Sequence, residues 1–204
     1  DRLVLSHGDA DHVGGLRSIL GELNVVSVLA GPTVSPMMGA RQCQSGERWN
    51  WDHVEFSILH PQAGSKDDSD NNLSCVLRVT NAGGSTLLLG DIESGAEQTL
   101  VERSLIQSTK VVVAAHHGSR SSSTPELVNA TRLAGQQQWV IFSVGYRNRW
   151  GFPKPDVVAR WQDAGAIPLE TSQAGAVSIL VSSRGEQSIP VLWRNEHQRY
   201  WQPR

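Results

Sequence analysis

Ser6-His7-Gly8-Asp9-Ala10-Asp11-His12-Val13-Gly14-Gly15 follows directly on the apolar run Leu3-Val4-Leu5. Four potential ligands, two imidazoles and two carboxylates, fall within six residues, at the end of what reads as a buried strand over residues 2–6. Gly8 and Ala10 are small, so the backbone between the ligands can turn and let several side chains converge. Imidazole and carboxylate together suit zinc, manganese and iron. A polar turn with Asp11 capping the next helix would account for Asp11 alone. It would leave His7, Asp9 and His12 unexplained.

The same chemistry returns at two later strand ends. Leu87-Leu88-Leu89-Gly90-Asp91 delivers a carboxylate, and the apolar run over 111–115 leads straight into His116-His117-Gly118-Ser119. A lone Asp after a strand is an ordinary turn residue, and of two adjacent histidines only one can follow the strand axis. Strand position favours His116. Taken together, up to seven nitrogen and oxygen ligands stand at three strand ends, about the number that a pair of metals needs.

Around these ends the chain reads as one domain of 204 residues, within the usual range of ~100–200. With 39% hydrophobic and 19% charged residues it is ordinary globular material, which excludes wholesale disorder. No apolar run reaches the ~18 residues of a membrane span, and no signal peptide is expected. The net charge of −2 argues against a broadly basic nucleic-acid surface while leaving room for a local patch. Strands are expected over 25–30, 54–59, 74–80, 85–89, 111–115 and 140–144, and as a final hairpin over 177–182 and 189–193. Helices are expected over 13–23, 94–107, from Thr124-Pro125 onward, and over 155–164, with loops over 31–40 and 64–72. The last stretch, 193–204, reads as a loose tail. Trp49 and Trp51 flank one residue and should share a strand face, as core or subunit contacts. Cys43 and Cys75 form no CxxC motif and read as two buried or half-buried thiols, with a disulfide possible only in an oxidising compartment. Alternating strands and helices with hairpins mixed in imply layered sheets with helices outside.

His7-x-Asp9-x-Asp11-His12, Gly90-Asp91 and His116-His117-Gly118-Ser119 resemble the metallo-β-lactamase superfamily. Within it, SHGDADHVGGL, the stretch Cys43…Gly46…Trp49-Asn50-Trp51 ahead of Leu59-His60-Pro61, Asn71-Asn72-Leu73-Ser74, LLLGDIE and HHGSRSSS are similar to the carboxy-terminal domain of the ComEC DNA-uptake family, over nearly the whole chain. The resemblance implies an α/β fold, the αββα four-layer sandwich, with two divalent ions, zinc or manganese, at one edge. His7 and Asp9 would hold one ion and Asp11 and His12 the other. Asp91 would bridge them, and His116 or His117 would complete the second. Asp11, His12 and Asp91 would form the catalytic centre. Where other members place a further histidine ligand, this chain offers Asn71, Asn72 and Ser74, so the first ion would be held more weakly. The resemblance also implies two or more strands ahead of residue 2, making 1–204 a fragment of the domain with an unpaired sheet edge. Gly151-Phe152-Pro153-Lys154 stands where many relatives have Gly-His-Pro-His, and Phe152 and Lys154 cannot replace a histidine ligand or proton donor.

The expected function is a metal-dependent phosphodiesterase or nuclease acting on DNA during natural transformation. Arg147, Arg149, Lys154 and Arg160 would steer the backbone, Lys154 as a point charge on a phosphate, unless they form only a solvated loop and helix face. Ser119 and the serines after it would donate to a phosphate, or simply lead into a helix. The expected partners are DNA and the membrane-channel portion of the same protein, with no nucleotide cofactor. The expected place is the outer, periplasmic face of the inner membrane, the domain itself being soluble. The rivals are a hydrolase of a small ester or lactone on the same scaffold, since fold does not fix substrate, and an inactive module that guides DNA.

Overall fold

The computed structural model describes residues 1–66, 69–183 and 189–197. Strand β1 (Arg2–Leu5) and strand β2 (Ser27–Ala30) pair in parallel, with helices α1 (Ala10–Val13) and α2 (Leu16–Glu22) crossing between them. The single helix expected over 13–23 is therefore two short ones, broken at Gly14-Gly15, where each glycine costs ~1 kcal/mol against continuing the helix. The stretch 31–40, expected as loop, holds helix α3 (Ser35–Met38), and strand β3 (Arg41–Gln42) then pairs with β2. The first sheet has the order β1-β2-β3, with β1 at one edge.

The second sheet begins as an antiparallel meander of β4 (Arg48–Trp51), β5 (Val54–His60), β6 (Val76–Asn81) and β7 (Gly84–Leu88). The β6–β7 turn is the hairpin expected at Asn81–Gly84. Helix α4 (Ser94–Glu102) then leads to β8 (Val111–Val113), α5 (Pro125–Thr131) to β9 (Gln138–Phe142), and α6 (Pro155–Asp163) to β10 (Ala166–Glu170). These last strands are parallel, giving the order β10-β9-β8-β7-β6-β5-β4. Helix α4 stops five residues before the expected 107. Strand β10 has no counterpart in the sequence reading, because Pro168 lies within it. An edge strand tolerates proline, whose missing N–H faces away from the ladder. Helix α7 (Thr171–Ala174), the expected small hairpin of β11 (Val177–Ser178) and β12 (Val191–Leu192), and helix α8 (Trp193–Glu196) complete the chain. The presumed loose tail thus starts as a helix, and 198–204, like Asp67 and Asp68 of the expected loop, lie outside the described residues.

Alternation along the strands builds the layers. Ile58 and Leu77 point to one face of the second sheet and meet Leu29 and Val4 of the first. Their neighbours Leu59 and Val76 point to the other face and pack with Leu100 of α4, Leu127 of α5, and Val157 and Trp161 of α6. On the far side of the first sheet, Leu5 and Ala30 pack against Val13 and Leu16. The result is helix, sheet, sheet, helix: the expected four-layer sandwich. Buried Glu97 joins two of the outer helices by accepting the backbone N–H groups of Ser123 and Thr124, 2.6 and 2.8 Å away, and burial pushes its carboxyl upward. Thr124 caps α5 as the sequence predicts, accepting from the Leu127 N–H.

Two features of the inter-sheet layer bear on the sequence reading. Trp49 and Trp51 do share a face, 6.2 Å apart, and Phe56 stacks on Trp49, so Trp49 serves packing. Cys43 and Cys75 are not thiols but a disulfide, with Cα atoms 6.1 Å apart, inside the usual span of ~4.4–6.8 Å. Cys43 follows β3 and Cys75 precedes β6, so the bond links the two sheets. Nothing local in the sequence announces that the two positions face each other.

The topology also gathers the polar ends. The N–H of Cys75, at the start of β6, donates to the carbonyl of Ser6 at the end of β1, 2.9 Å away. Strand β7 runs antiparallel to β6 and parallel to β8. The ends of β1, β7 and β8 therefore meet at one edge.

Candidate metal centre

Gly90 sets the geometry of that edge. Its φ is +58°, and a Cβ there would lie 2.8 Å from the Ser74 Cβ and 3.1 Å from that of Ser6, so only glycine lets the chain pass. The next residue, Asp91, is buried, and its N–H donates to the Ser74 hydroxyl. Asp91 Oδ1 lies 3.2 Å from His12 Nε2, and Oδ2 lies 3.3 Å from His117 Nε2 and 4.0 Å from His7 Nε2. Asp11 Oδ2 is 3.2 Å from His117 Nε2 and 3.9 Å from His12 Nε2, while Asp9 Oδ2 is 3.6 Å from His7 Nε2. Two overlapping groups result, His7 with His12 and Asp91, and Asp11 with His12 and His117, each with ligand atoms within 4.8 Å of one another.

The other ring nitrogen of each histidine is held from behind. The Ser6 hydroxyl stands 3.1 Å from His7 Nδ1 and 3.0 Å from His12 Nδ1, and the Ser74 hydroxyl is 3.2 Å from His7 Nδ1. His117 Nδ1 donates to the Ser143 carbonyl at 2.8 Å. Such outer bonds fix which nitrogen faces a metal. The ligand loop is held too: the Gly8 N–H donates to Asp70 Oδ2 at 2.8 Å, and the Thr33 hydroxyl donates to the same carboxylate. Ser6, Asp70 and Ser143 escaped the sequence reading as supports. Asp70 comes from a loop 62 residues away and Ser143 acts through its backbone, so neither leaves a motif.

Charge is tightly balanced here. Burial opposes ionisation of Asp91, but hydrogen bonds from His117 and His12 hold its carboxyl well below the usual range. Donating to the Asp91 carboxylate in turn pushes His117 up to about 9, against burial. His7 goes the other way: burial, and then the neighbouring His12, lower it. Its Nε2 is fully buried, has no hydrogen-bond partner and faces two carboxylates. His12 Nε2 and His117 Nε2 meet at 3.3 Å. An orphaned His7 nitrogen, beside two further imidazole nitrogens that converge on the same carboxylates, belongs to a donor set that a divalent cation satisfies.

The histidine pair resolves against strand position. His116 and His117 both take left-handed backbone, φ +46° and +54°, so β8 does not continue and its alternation ends. His117 turns into the cluster. His116 turns out of it, with Nδ1 3.3 Å from both Glu93 Oε1 and the Ser121 hydroxyl, its ring edge-on to Phe152. The Ser119 hydroxyl lies 3.0 Å from that of Ser121, and the Ser119 N–H donates to the His116 carbonyl at 2.8 Å. Ser74 sits beneath His7, and Asn71 opens a single 3-10 turn whose carbonyl accepts the Ser74 N–H. Of the expected cations, Lys154 donates to the Trp150 carbonyl at 2.6 Å and Arg160 to the Ser123 carbonyl, so both serve the local fold. Arg147 and Arg149 are exposed.

The sequence model of the metallo-beta-lactamase superfamily matches residues 1–135. The chain belongs to the metallo-beta-lactamase superfamily. Members of the superfamily are usually metal-dependent hydrolases. This superfamily domain is 34% identical to the competence protein ComA of Neisseria gonorrhoeae, over 99% of the chain and 28% of that protein. It is 31% identical to recombination protein 2 of Haemophilus influenzae, over 88% of the chain and 22% of that protein. The chain thus spans about a quarter of the length of these curated relatives. A solved structure assigned as a metal-dependent hydrolase from Parabacteroides distasonis shares the fold, with a TM-score of 0.56 at 9% identity over 84% of this chain and 76% of that one. The resemblance to ComEC-type competence domains read from the motifs is borne out.

Ser6 offers a direct check of the support described above. Ser6→Ala should weaken divalent-metal binding ~10–100-fold, the usual cost of losing an outer partner of a metal-bound histidine, because two imidazoles lose one shared hydroxyl. Titration with zinc against a chromogenic chelator reads this. Unchanged affinity would show that the hydroxyl does not orient the rings.

Proposed function

We propose that this domain is a two-metal phosphodiesterase that cuts DNA within a DNA-uptake protein. The observation that carries the reading is the cluster of three imidazoles and three carboxylates around Asp91, in a chain similar to a competence protein. His7 and Asp9 would hold one ion, Asp11, His12 and His117 the other, with Asp91 shared between them. Zinc or manganese held there would supply Lewis acidity and neutralise charge on the phosphoryl oxygens. Asp91, being buried and ionised, keeps the site anionic, and Ser6, Ser74 and the Ser143 carbonyl keep all three Nε2 atoms facing it. Asn71 and Ser74 provide no imidazole beside His7, so the first ion should be the weaker bound.

No described helix is long and apolar enough to cross a membrane. Tethering to an inner-membrane channel, and a place on its outer face, come with the competence reading. The Cys43–Cys75 disulfide supports that side, since disulfides persist in oxidising compartments.

The test is a substrate panel with zinc or manganese: single-stranded and duplex DNA, a chromogenic phosphodiester and a lactone. Metal-dependent cleavage of DNA and the phosphodiester is expected, with no lactone turnover. If about three phosphates of a single strand are held, DNA cleavage below saturation should fall roughly 20-fold as salt rises from about 50 to 200 mM, while the small ester barely responds. Lactone turnover with DNA untouched would replace the reading by that of a small-ester hydrolase. Metal and DNA binding without any turnover would make the domain a DNA guide.

A further inference from the structure

The loop between β9 and α6 has features that the metal cluster does not use. Tyr146 and Trp150 are 60% and 56% exposed. Each ring carries its own cation, the Arg147 guanidinium 5.1 Å from the Tyr146 centroid and the Arg149 guanidinium 4.2 Å from that of Trp150. Neither arginine has a carboxylate partner among the described residues. Large rings left in water beside unpaired guanidinium groups serve no packing purpose.

The loop is preorganised and tied to the site. The Asn148 side chain donates to the carbonyls of Gly145 and Phe152, 3.2 and 2.7 Å away, and accepts the Phe152 N–H at 2.9 Å. The Lys154 ammonium holds the Trp150 carbonyl. The Lys154 N–H donates to the Gly118 carbonyl at 2.9 Å, one residue from His117, and Phe152 meets the His116 ring at 5.8 Å. The Ser143 carbonyl that orients His117 lies just before the loop. The rings and the cluster are thus held by the same short segment.

We propose that this loop is a stacking platform for single-stranded DNA leading to the metal cluster: Trp150 and Tyr146 each receive an unpaired base, and Arg149 and Arg147 the adjoining phosphates. The proposal rests on the phosphodiesterase reading for its choice of DNA. Base-on-ring stacking with arginine beside it is the usual chemistry of sequence-tolerant single-strand binding. A duplex cannot use it, because its bases already stack on one another. The cations favour a polyanion over a neutral protein surface. A chain held at this rim enters the site beside His117.

The test is fluorescence anisotropy of a labelled oligo-dT with the full chain, in chelator so that no strand is cut. Trp150→Ala should weaken binding about 5- to 150-fold, the loss of one base stack, Tyr146→Ala should weaken it less, and Trp150→Phe should restore most of it. Affinity for a duplex of equal charge should change less than twofold, and the thermal midpoint should stay put. Unchanged oligo-dT affinity in both alanine variants, or equal losses for single strand and duplex, would overturn the platform. So would a loss confined to vesicles of anionic phosphatidylglycerol, which would make the loop a membrane anchor. Wild-type protein that binds oligo-dT through Trp150 but cuts no phosphodiester with any metal would keep the platform and remove the nuclease. Metal-dependent cutting with Trp150-independent binding would do the reverse.

Discussion

Asp91→Asn is expected to lower divalent-metal affinity by more than about 100-fold and to leave the fold standing. Losing a residue that merely orients a metal-bound histidine costs ~10–100-fold, and Asp91 stands nearer the centre than any of these. Its two oxygens reach His12, His117 and His7, so it belongs to the surroundings of both proposed ions. Asparagine has the same shape but puts an amide N–H where an oxygen faced an imidazole nitrogen, and it removes the charge that attracts the cation. Asp11→Ala should act in the same direction on the second ion only. Metal content after dialysis, measured by mass spectrometry beside circular dichroism, decides the matter. Wild-type metal content in both variants would sink the binuclear reading.

Gly118→Ala is expected to destabilise the domain by about 2–5 kcal/mol. Gly118 has φ +81°, where an L side chain pays ~1–2 kcal/mol. The added Cβ would lie 2.6 Å from the Pro153 Cβ and 2.8 Å from the Phe142 ring, and overpacking of that kind costs typically ~1–3 kcal/mol. Phe142 is fully buried among the residues that pack under α4–α6, and it cannot step aside. Because Gly118 follows His117 and binds Lys154, any relief moves the ligand and the Tyr146–Trp150 loop together. Urea unfolding should show a lower midpoint with the slope kept, and metal affinity should fall with it. A midpoint within error of wild type would mean that Pro153 can yield, and that the two segments are not coupled.

What could be read before folding was local. His7, Asp9, Asp11 and His12 lie within six residues, so their convergence depends only on one strand end and one turn, and spacing reveals it. The apolar run Leu87-Leu88-Leu89 likewise announces a strand that must end near Asp91. Strand β10 failed this test because Pro168 reads as a breaker, and only an edge position in a sheet makes it acceptable. The helix expected over 13–23 failed because the penalty at Gly14-Gly15 outweighed a continuous apolar stripe.

By itself, then, the sequence determined the residue types of the candidate site, the strand ends that carry them and the family, since these are short-range properties of residues a few positions apart. Tertiary structure alone decided which histidine joins the cluster, because consecutive left-handed residues end the alternation by which strand position would choose His116. It paired Cys43 with Cys75 across two sheets and brought Asp70 under Gly8, contacts set by layer packing over long chain separations. It also left Tyr146 and Trp150 in water, on the loop that follows the Ser143 carbonyl holding His117, while burying the ring of Trp161. All three are aromatic, and only the packing of α6 on the sheet distinguishes them.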